Sequence, residues 1–477
     1  MPTATRRRLT RWSTDSLCKG RRKRPFLMMT REGNLEAPTR HALDWKSPGF
    51  YDEAACLHEM ERIFDICHGC RRCVSLCQSF PTLFDLVDAG KTGELDGVDK
   101  ADFWKVVDQC YLCDLCYLTK CPYVPPHAWN LDFPHTMLRA KAIKFRSGKV
   151  GAGERFLAST DVHGQFAGIP VVVQAVNALN RTKLARRLMD RQLGVHPEAW
   201  LPALASQRFR WSAPKSEAQV VSNGERTPGK VAIFSTCYVN YNEPGIGFDL
   251  LKVLEHNAIP YVIVEKEACC GMPKLELGDL DSVEKHKSAN IAVLAPYARD
   301  GFAILSAIPS CTLMFKQELP LMFPDEEDVR LVQDAMWDPF EYLIARHKDG
   351  LLKTDFKQAL GRVSYHIPCH GRVQKIGRKT EEMFKLIGQS VEVKLNTVER
   401  CSGHAGTYGV KTPTHPVAMK IGKPVFKAMA KDAPDFISSD CALAGHHIAQ
   451  GMAQAGAPAQ AVAHPLTLLR TAYGISA

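Results

Sequence analysis

The sequence predicts a multidomain α+β protein: an α-helical region carrying two cysteine runs, then two α/β units in tandem. Three observations predict it. Residues 50–145 show helical spacing of apolar residues around two dense cysteine runs. From residue 230 short apolar strands alternate with helices, the pattern of a parallel sheet whose loops gather at the strand C-termini. The pattern then recurs in register: Cys237, Cys269 and Cys311 return as Cys369, Cys401 and Cys441, at offsets of 132, 132 and 130 residues. Matching cysteines and elements at one period indicate an internal duplication.

In chain order, residues 1–45 read as a basic extension, expected to be disordered. Residues 1–31 hold ten Lys/Arg against Asp15 alone, nearly the whole formal net charge of +10. The near-neutral body argues against a nucleic-acid protein, whose basic surface belongs to its fold. The tail has no apolar core of a secretory signal. Met28 and Met29 follow it, "MTREGNLEAPTRHALDW" reads like a start, and the first 27 or 28 residues are expected outside the fold. Residues 46–150 form the helical region, with "YDEAACLHEMERIFDI" and "DFPHTMLRAKAIKF" as its clearest helices. Residues 151–229 are a helical connector ("AVNALNRTKLARRLMDRQL") followed by a linker over 203–229. Residues 230–355 hold the first α/β unit, with strands in "KVAIFST", "YVIVE" and "FAILSAI". Residues 356–477 hold the second, with strands in "RVSYHI", "VEVKLN" and "DFISS".

No apolar stretch nears the roughly 18 residues that span a bilayer; "IPVVVQAVNAL" is too short and carries Gln and Asn. "GIGFDL" at 245–250 lacks a third glycine, so no nucleotide fingerprint is present. The 17 cysteines are clustered in a long chain. That pattern points to metal or redox chemistry in a reducing compartment, not to a secreted disulfide scaffold. A cytoplasmic location follows, with peripheral attachment at the inner face of the membrane left open.

"CHGCRRCVSLC" holds Cys67, Cys70, Cys73 and Cys77; "CYLCDLCYLTKC" holds Cys110, Cys113, Cys116 and Cys121. Cys-x-x-Cys-x-x-Cys wraps three corners of an iron–sulfur cube, and in two-cluster ferredoxins the fourth cysteine serves the other cluster. Cys67, Cys70, Cys73 and Cys121 are therefore expected to hold one [4Fe-4S] cluster, and Cys110, Cys113, Cys116 and Cys77 a second. Structural zinc would leave a surplus cysteine in each run. Gln78 stands where proline often follows the fourth cysteine, and the last gap of the second run is four residues. Arg71 and Arg72, inside the first loop, either raise that cluster's potential or form a solvated turn. Cys18 and Cys56 have no motif and are taken as structural or incidental.

A helical di-cluster ferredoxin region followed by two "CCG" units resembles the CCG-domain iron–sulfur oxidoreductases. These include the iron–sulfur C subunit of anaerobic glycerol-3-phosphate dehydrogenase, the D subunit of heterodisulfide reductase and the iron–sulfur subunit of glycolate oxidase. The resemblance covers residues 50–477. It implies that Cys269 and Cys270 of "EACCGMP", with Cys237 and Cys311, hold a noncubane iron–sulfur cluster, Gly271 letting the backbone approach. The fifth thiol of the family pattern is missing: "CTLM" ends in Met314, for which packing is expected. The second unit is degenerate. "ERCSGHAG" has Ser402 for the second thiol and "CALA" ends in Ala444, leaving Cys369, Cys401 and Cys441 with His370 and His404 beside two of them. The two histidines are read as metal ligands, proton donors or ordinary loop residues, and the site as holding zinc or no metal.

The function expected is electron transfer as one subunit of an oxidoreductase, not as a stand-alone enzyme. The chain would pass electrons between a flavoprotein or other redox partner and a CCG centre acting on a quinone, a disulfide or a partner protein. A thiol/disulfide reductase at the first CCG site and a zinc-containing scaffold are the alternatives.

Overall fold

A computed structural model describes residues 33–34, 36–119, 121–164, 166 and 169–476; the start at Met28 or Met29, and Cys18, lie outside them.

In the helix Glu53–Cys70, Asp52 accepts the Ala55 amide at the N-terminus, and Cys56, Met60, Ile63 and Phe64 are buried. Their spacing makes one apolar stripe. That stripe, Ser79–Asp88, Phe103–Gln109 and Phe133–Arg146 enclose a core of aromatic rings. Phe64 meets Phe103 at 5.0 Å and Phe80 meets Phe133 at 4.7 Å between centroids.

The disorder expected through residue 45 does not hold for residues 36–45, which form a strap across this region. Trp45 is buried and donates to the Met322 carbonyl. The Arg40 side chain, 7% exposed, bridges Asp114 at 2.6 Å and Asp132 at 2.9 Å. One guanidinium fork satisfied by two carboxylates, buried Asp114 and half-buried Asp132, gives the strap an anchor that the basic composition around it conceals.

Two four-stranded parallel sheets follow. Strands β1 (Val231–Ile233), β2 (Tyr261–Ile263), β3 (Ala303–Leu305) and β4 (Met336–Trp337) lie in the order β2-β1-β3-β4. Strands β5 (Gly361–His366), β6 (Val393–Val398), β7 (Phe436–Ser439) and β8 (Ala461–Val462) repeat it as β6-β5-β7-β8. The common topology bears out the duplication. β4 and β8, each two residues long, are too short to show a period in the sequence. In both sheets the strand order reverses between the first and third strands, the switch point at whose C-terminal side open α/β sheets place their sites. The units interlock: the helix Pro465–Ala472 packs on Pro244–His256, with Arg470 paired to Asp249 at 2.7 Å.

The connector stretch 175–193 falls on two helices, Pro170–Leu179 and Lys183–Leu193, the second capped by Thr182, which accepts the Ala185 amide. The expected linker 203–229 contains the short helix Phe209–Ser212, pinned by a fully buried Phe209. Among the described residues no helix is long and apolar enough to cross a membrane.

Candidate functional site

Cys67 and Cys70 lie in the last turn of Glu53–Cys70, which Arg71 closes with a left-handed φ of 48°. Burial, then the neighbouring thiols of Cys121, Cys73 and Cys70, push the Cys67 thiol well up. The structure thus brings Cys121 to the first run. Burial, followed by Cys110, pushes Cys77 up to about 12, and a small void is lined by Cys77, Cys110, Cys113 and Cys116. Cys116 feels Cys73 as well as its own group, so the two groups adjoin. The second loop turns through left-handed residues Leu112 and Asp114, at φ 52° and 59°. Asp114 is clamped there by Arg40 and by Gln317 Nε2 at 2.9 Å. Arg71 spends its charge on Asp88 and His68; Arg72 is the cation that reaches Cys121.

In the first α/β unit Cys237 opens a short helix after β1, and Cys311 lies in Pro309–Leu313 after β3. Cys269 and Cys270 sit in the loop after β2, ahead of Gly271, whose φ of 98° opens Met272–Leu277. Asn290 clamps that loop, accepting the Ala268 amide and donating to the Cys269 carbonyl. Hydrogen bonds from Cys237 and Cys270, then from His286 and Thr160, hold the Cys269 thiol well below its ordinary value despite burial. Thr160 donates to Cys269 Sγ at 3.3 Å, and Asp161 pairs with His286 at 3.3 Å. Met314, fully buried, packs against Gly271.

In the second unit Cys369 follows β5, Cys401 follows β6 and Cys441 follows β7. Burial, then Cys401 and Cys441, push Cys369 up, so the three thiols are gathered. Ser402 is buried beside them, and Gly403 repeats the left-handed turn of Gly271 at φ 83°. His370 Nδ1 meets Ser310 Oγ at 2.8 Å, and the His404 ring lies 5.6 Å from that of His447, while the Nε2 atoms of both rings are buried without a hydrogen-bond partner among the described residues. Among the described residues no three His, Cys, Asp or Glu side chains are drawn together to hold a single metal ion.

The four thiol groups are contiguous. Cys113 is raised by burial and then by Cys369, Cys401 and Cys77. The Tyr111 hydroxyl lies 3.1 Å from Cys401 Sγ, and Tyr111 and Tyr408 form one apolar cluster with Cys77, Cys113 and Cys401. Burial pushes Cys441 up to about 11, with Cys311 of the first unit among its neighbours. A series therefore runs from the first run, through the second run and the second α/β unit, to the first unit.

Clustered, largely shielded thiols that oppose one another's ionisation suit a cationic group that supplies the missing charge and displaces their protons. The donor set is soft throughout and fits iron–sulfur chemistry. Sequence reasoning missed Thr160, Asp161, His286, Tyr111 and Arg40. Tyr111 lies inside a cysteine run, but its partner is 290 residues away and no local pattern reports that.

Comparison with known proteins matches residues 231–316 and 363–448 to the CCG cysteine-rich domain. The C subunit of anaerobic glycerol-3-phosphate dehydrogenase from Escherichia coli K12 is 28% identical over 306 residues, 64% of this chain and 74% of that protein. The B subunit of fumarate reductase (CoM/CoB) from Methanothermobacter marburgensis is 26% identical over 255 residues, 53% of this chain and 48% of the relative. An uncharacterized iron-sulfur protein of Methanocaldococcus jannaschii is 26% identical over 220 residues, 46% and 41% of the two chains.

Proposed function

We propose that this chain, which carries two CCG cysteine-rich domains and is kin to iron–sulfur subunits of dehydrogenases and reductases, passes electrons between a redox partner and its first CCG centre. The partner is read as a flavoprotein dehydrogenase, and the acceptor or donor at the far end as a quinone, a disulfide or a second protein. The unbroken thiol series carries this reading. Cys67, Cys70, Cys73 and Cys121 would hold one [4Fe-4S] group, and Cys110, Cys113, Cys116 and Cys77 another. Cys237, Cys269, Cys270 and Cys311 would hold a noncubane cluster. Such groups supply one-electron chemistry when bound. The chain's own part is to bury the thiols from water, fix the loops through Arg40, Asp114 and Asn290, and keep neighbouring groups in contact.

The test is single cysteine variants of the full chain, purified anaerobically and read by iron content and electron paramagnetic resonance. Cys77→Ser is expected to alter the same signal as Cys110→Ser and spare that of Cys67→Ser. The reverse pattern sinks the crossed assignment, and a chain without iron sinks the reading. The lowered Cys269 thiol beside His286 and Thr160 favours a second reading, thiol/disulfide reduction at the first CCG site. It requires disulfide turnover by the chain alone, lost in Cys269→Ser.

A further inference from the structure

A cavity of about 810 Å³ lies where the connector helices meet both α/β units, outside every thiol group. Its size is that of sites for small organic molecules. Its walls are built. Asn177 exchanges two hydrogen bonds of 2.9 Å with the Leu204 backbone. Arg186, buried, donates to the carbonyls of Pro197, His196 and Ala199. Asn242 of the first unit donates to the Ala203 carbonyl at 2.8 Å, and Gln450 of the second accepts the Trp200 amide at 3.1 Å.

The charge lining it is unbalanced. Arg181, Lys183 and Arg187 line the cavity and are exposed; among the described residues none has a carboxylate partner. Of the two acids, Glu198 lies at the exposed rim. Glu243 is engaged, accepting from His446 Nε2 and from the Tyr238 hydroxyl, each at 2.6 Å. The His446 ring stacks on Trp200 at 4.4 Å and 11°. Trp200, Leu201 and Pro202 supply an apolar surface. Cations without partners beside an aromatic and aliphatic wall suit a ligand with an anionic end and an apolar body. Glu243 links the cavity to the Tyr238 hydroxyl, and Tyr238 is the chain neighbour of Cys237.

We propose that this cavity binds a small organic anion, a carboxylate or a phosphate ester. Its charge would rest on Arg181, Lys183 and Arg187, and its body against Trp200. A redox molecule carrying such an anionic end would be the one served by the first CCG centre, an assignment that rests on the electron-transfer reading above.

Calorimetric titration of the anaerobically purified full chain with benzoate, phenyl phosphate and neutral benzyl alcohol tests it. At least one anion is expected to bind saturably, more weakly as ionic strength rises. The double variant Arg181→Ala/Arg187→Ala is expected to lose about tenfold or more in affinity, as loss of charged hydrogen bonds entails, with iron content and circular dichroism unchanged. The preferred anion names the class. Equal binding of benzyl alcohol overturns the anionic class, and no binding, or binding indifferent to the double variant, overturns the site. A bound anion should perturb the resonance signal lost in Cys269→Ser; an unperturbed signal overturns the link to that centre. Iron content tests the electron-transfer reading separately.

Discussion

The two α/β units share a strand order, a cysteine at each of three strand ends and a left-handed glycine after the loop cysteine, yet their thiols keep different company. The first site, with its adjacent Cys269 and Cys270, is completed by connector residues Thr160 and Asp161 and by His286. The second, with Ser402 in place of a thiol, faces Tyr111, Cys113 and Cys77 of the helical region. The adjacent thiol pair is retained at the end of the series. In the interior of the series, neighbouring groups adjoin the site on both sides. Position in the series, not the fold of the unit, tracks what each copy retained.

Removing the paired thiols is the largest test of that asymmetry. Cys269→Ser with Cys270→Ser is expected to abolish most of the iron-dependent absorption owed to the α/β half, while Cys401→Ser leaves most of it. Equal losses in anaerobic spectra would mean that the copies share one centre or hold two.

The glycines sharpen the comparison in stability. Gly271→Ala places its Cβ in ordinary contact, 3.5 Å from Met314 Cε, so the cost is the left-handed backbone alone, about 1–2 kcal/mol. Gly403→Ala drives the same atom to 2.1 Å from the Ala418 carbonyl. Denaturant unfolding should therefore rank Gly403→Ala clearly below Gly271→Ala, and an equal ranking breaks the geometric difference between the loops.

The first unit is also tied to the helical region by charge. His135 lies 3.2 Å from Asp132 and 3.6 Å from Glu318. Burial and Arg40 oppose its charge, but Asp132 and Glu318 outweigh them and hold it up to about 9. A folded pKa raised above the ordinary 6.5 gives stability that is complete below about pH 6.5 and lost as pH rises through 9, of the order of 3 kcal/mol in all. His135→Gln should flatten this alkaline loss in unfolding curves measured across that window. An unchanged slope assigns the loss to other groups.

Tyr111→Phe is the smallest change, one hydrogen bond of about 1 kcal/mol. It is expected to shift the signal of the group held by Cys110, Cys113 and Cys116 and leave that of the first CCG site in place. A shift confined to the first CCG site would contradict the order of the series.

Much is legible in the sequence because metal-binding loops and strand-end cysteines are local patterns. The six main strands, the repeat and the thiol sets can be read from spacing within single segments. Three features lack such a local signal. Arg40 looks like part of a basic tail because its carboxylate partners, Asp114 and Asp132, are 74 and 92 residues away. The connector reads as one amphipathic stretch because its break at Thr182 does not interrupt the apolar period. His370 adjoins Cys369 in the chain, but the partner of its Nδ1, Ser310, is 60 residues back and no local pattern reports it.

The sequence by itself determined which residues are thiols, how they are grouped along the chain, and that the α/β half is a repeat whose second site is the more degenerate. These properties depend on spacing and side-chain type. Only the tertiary structure decided the order of the four groups, the placement of the second unit between the two cysteine runs and the first unit, and the cavity shared by connector and both units. Those depend on how buried surfaces pack across hundreds of residues, and packing contacts leave no periodic trace in the chain that makes them.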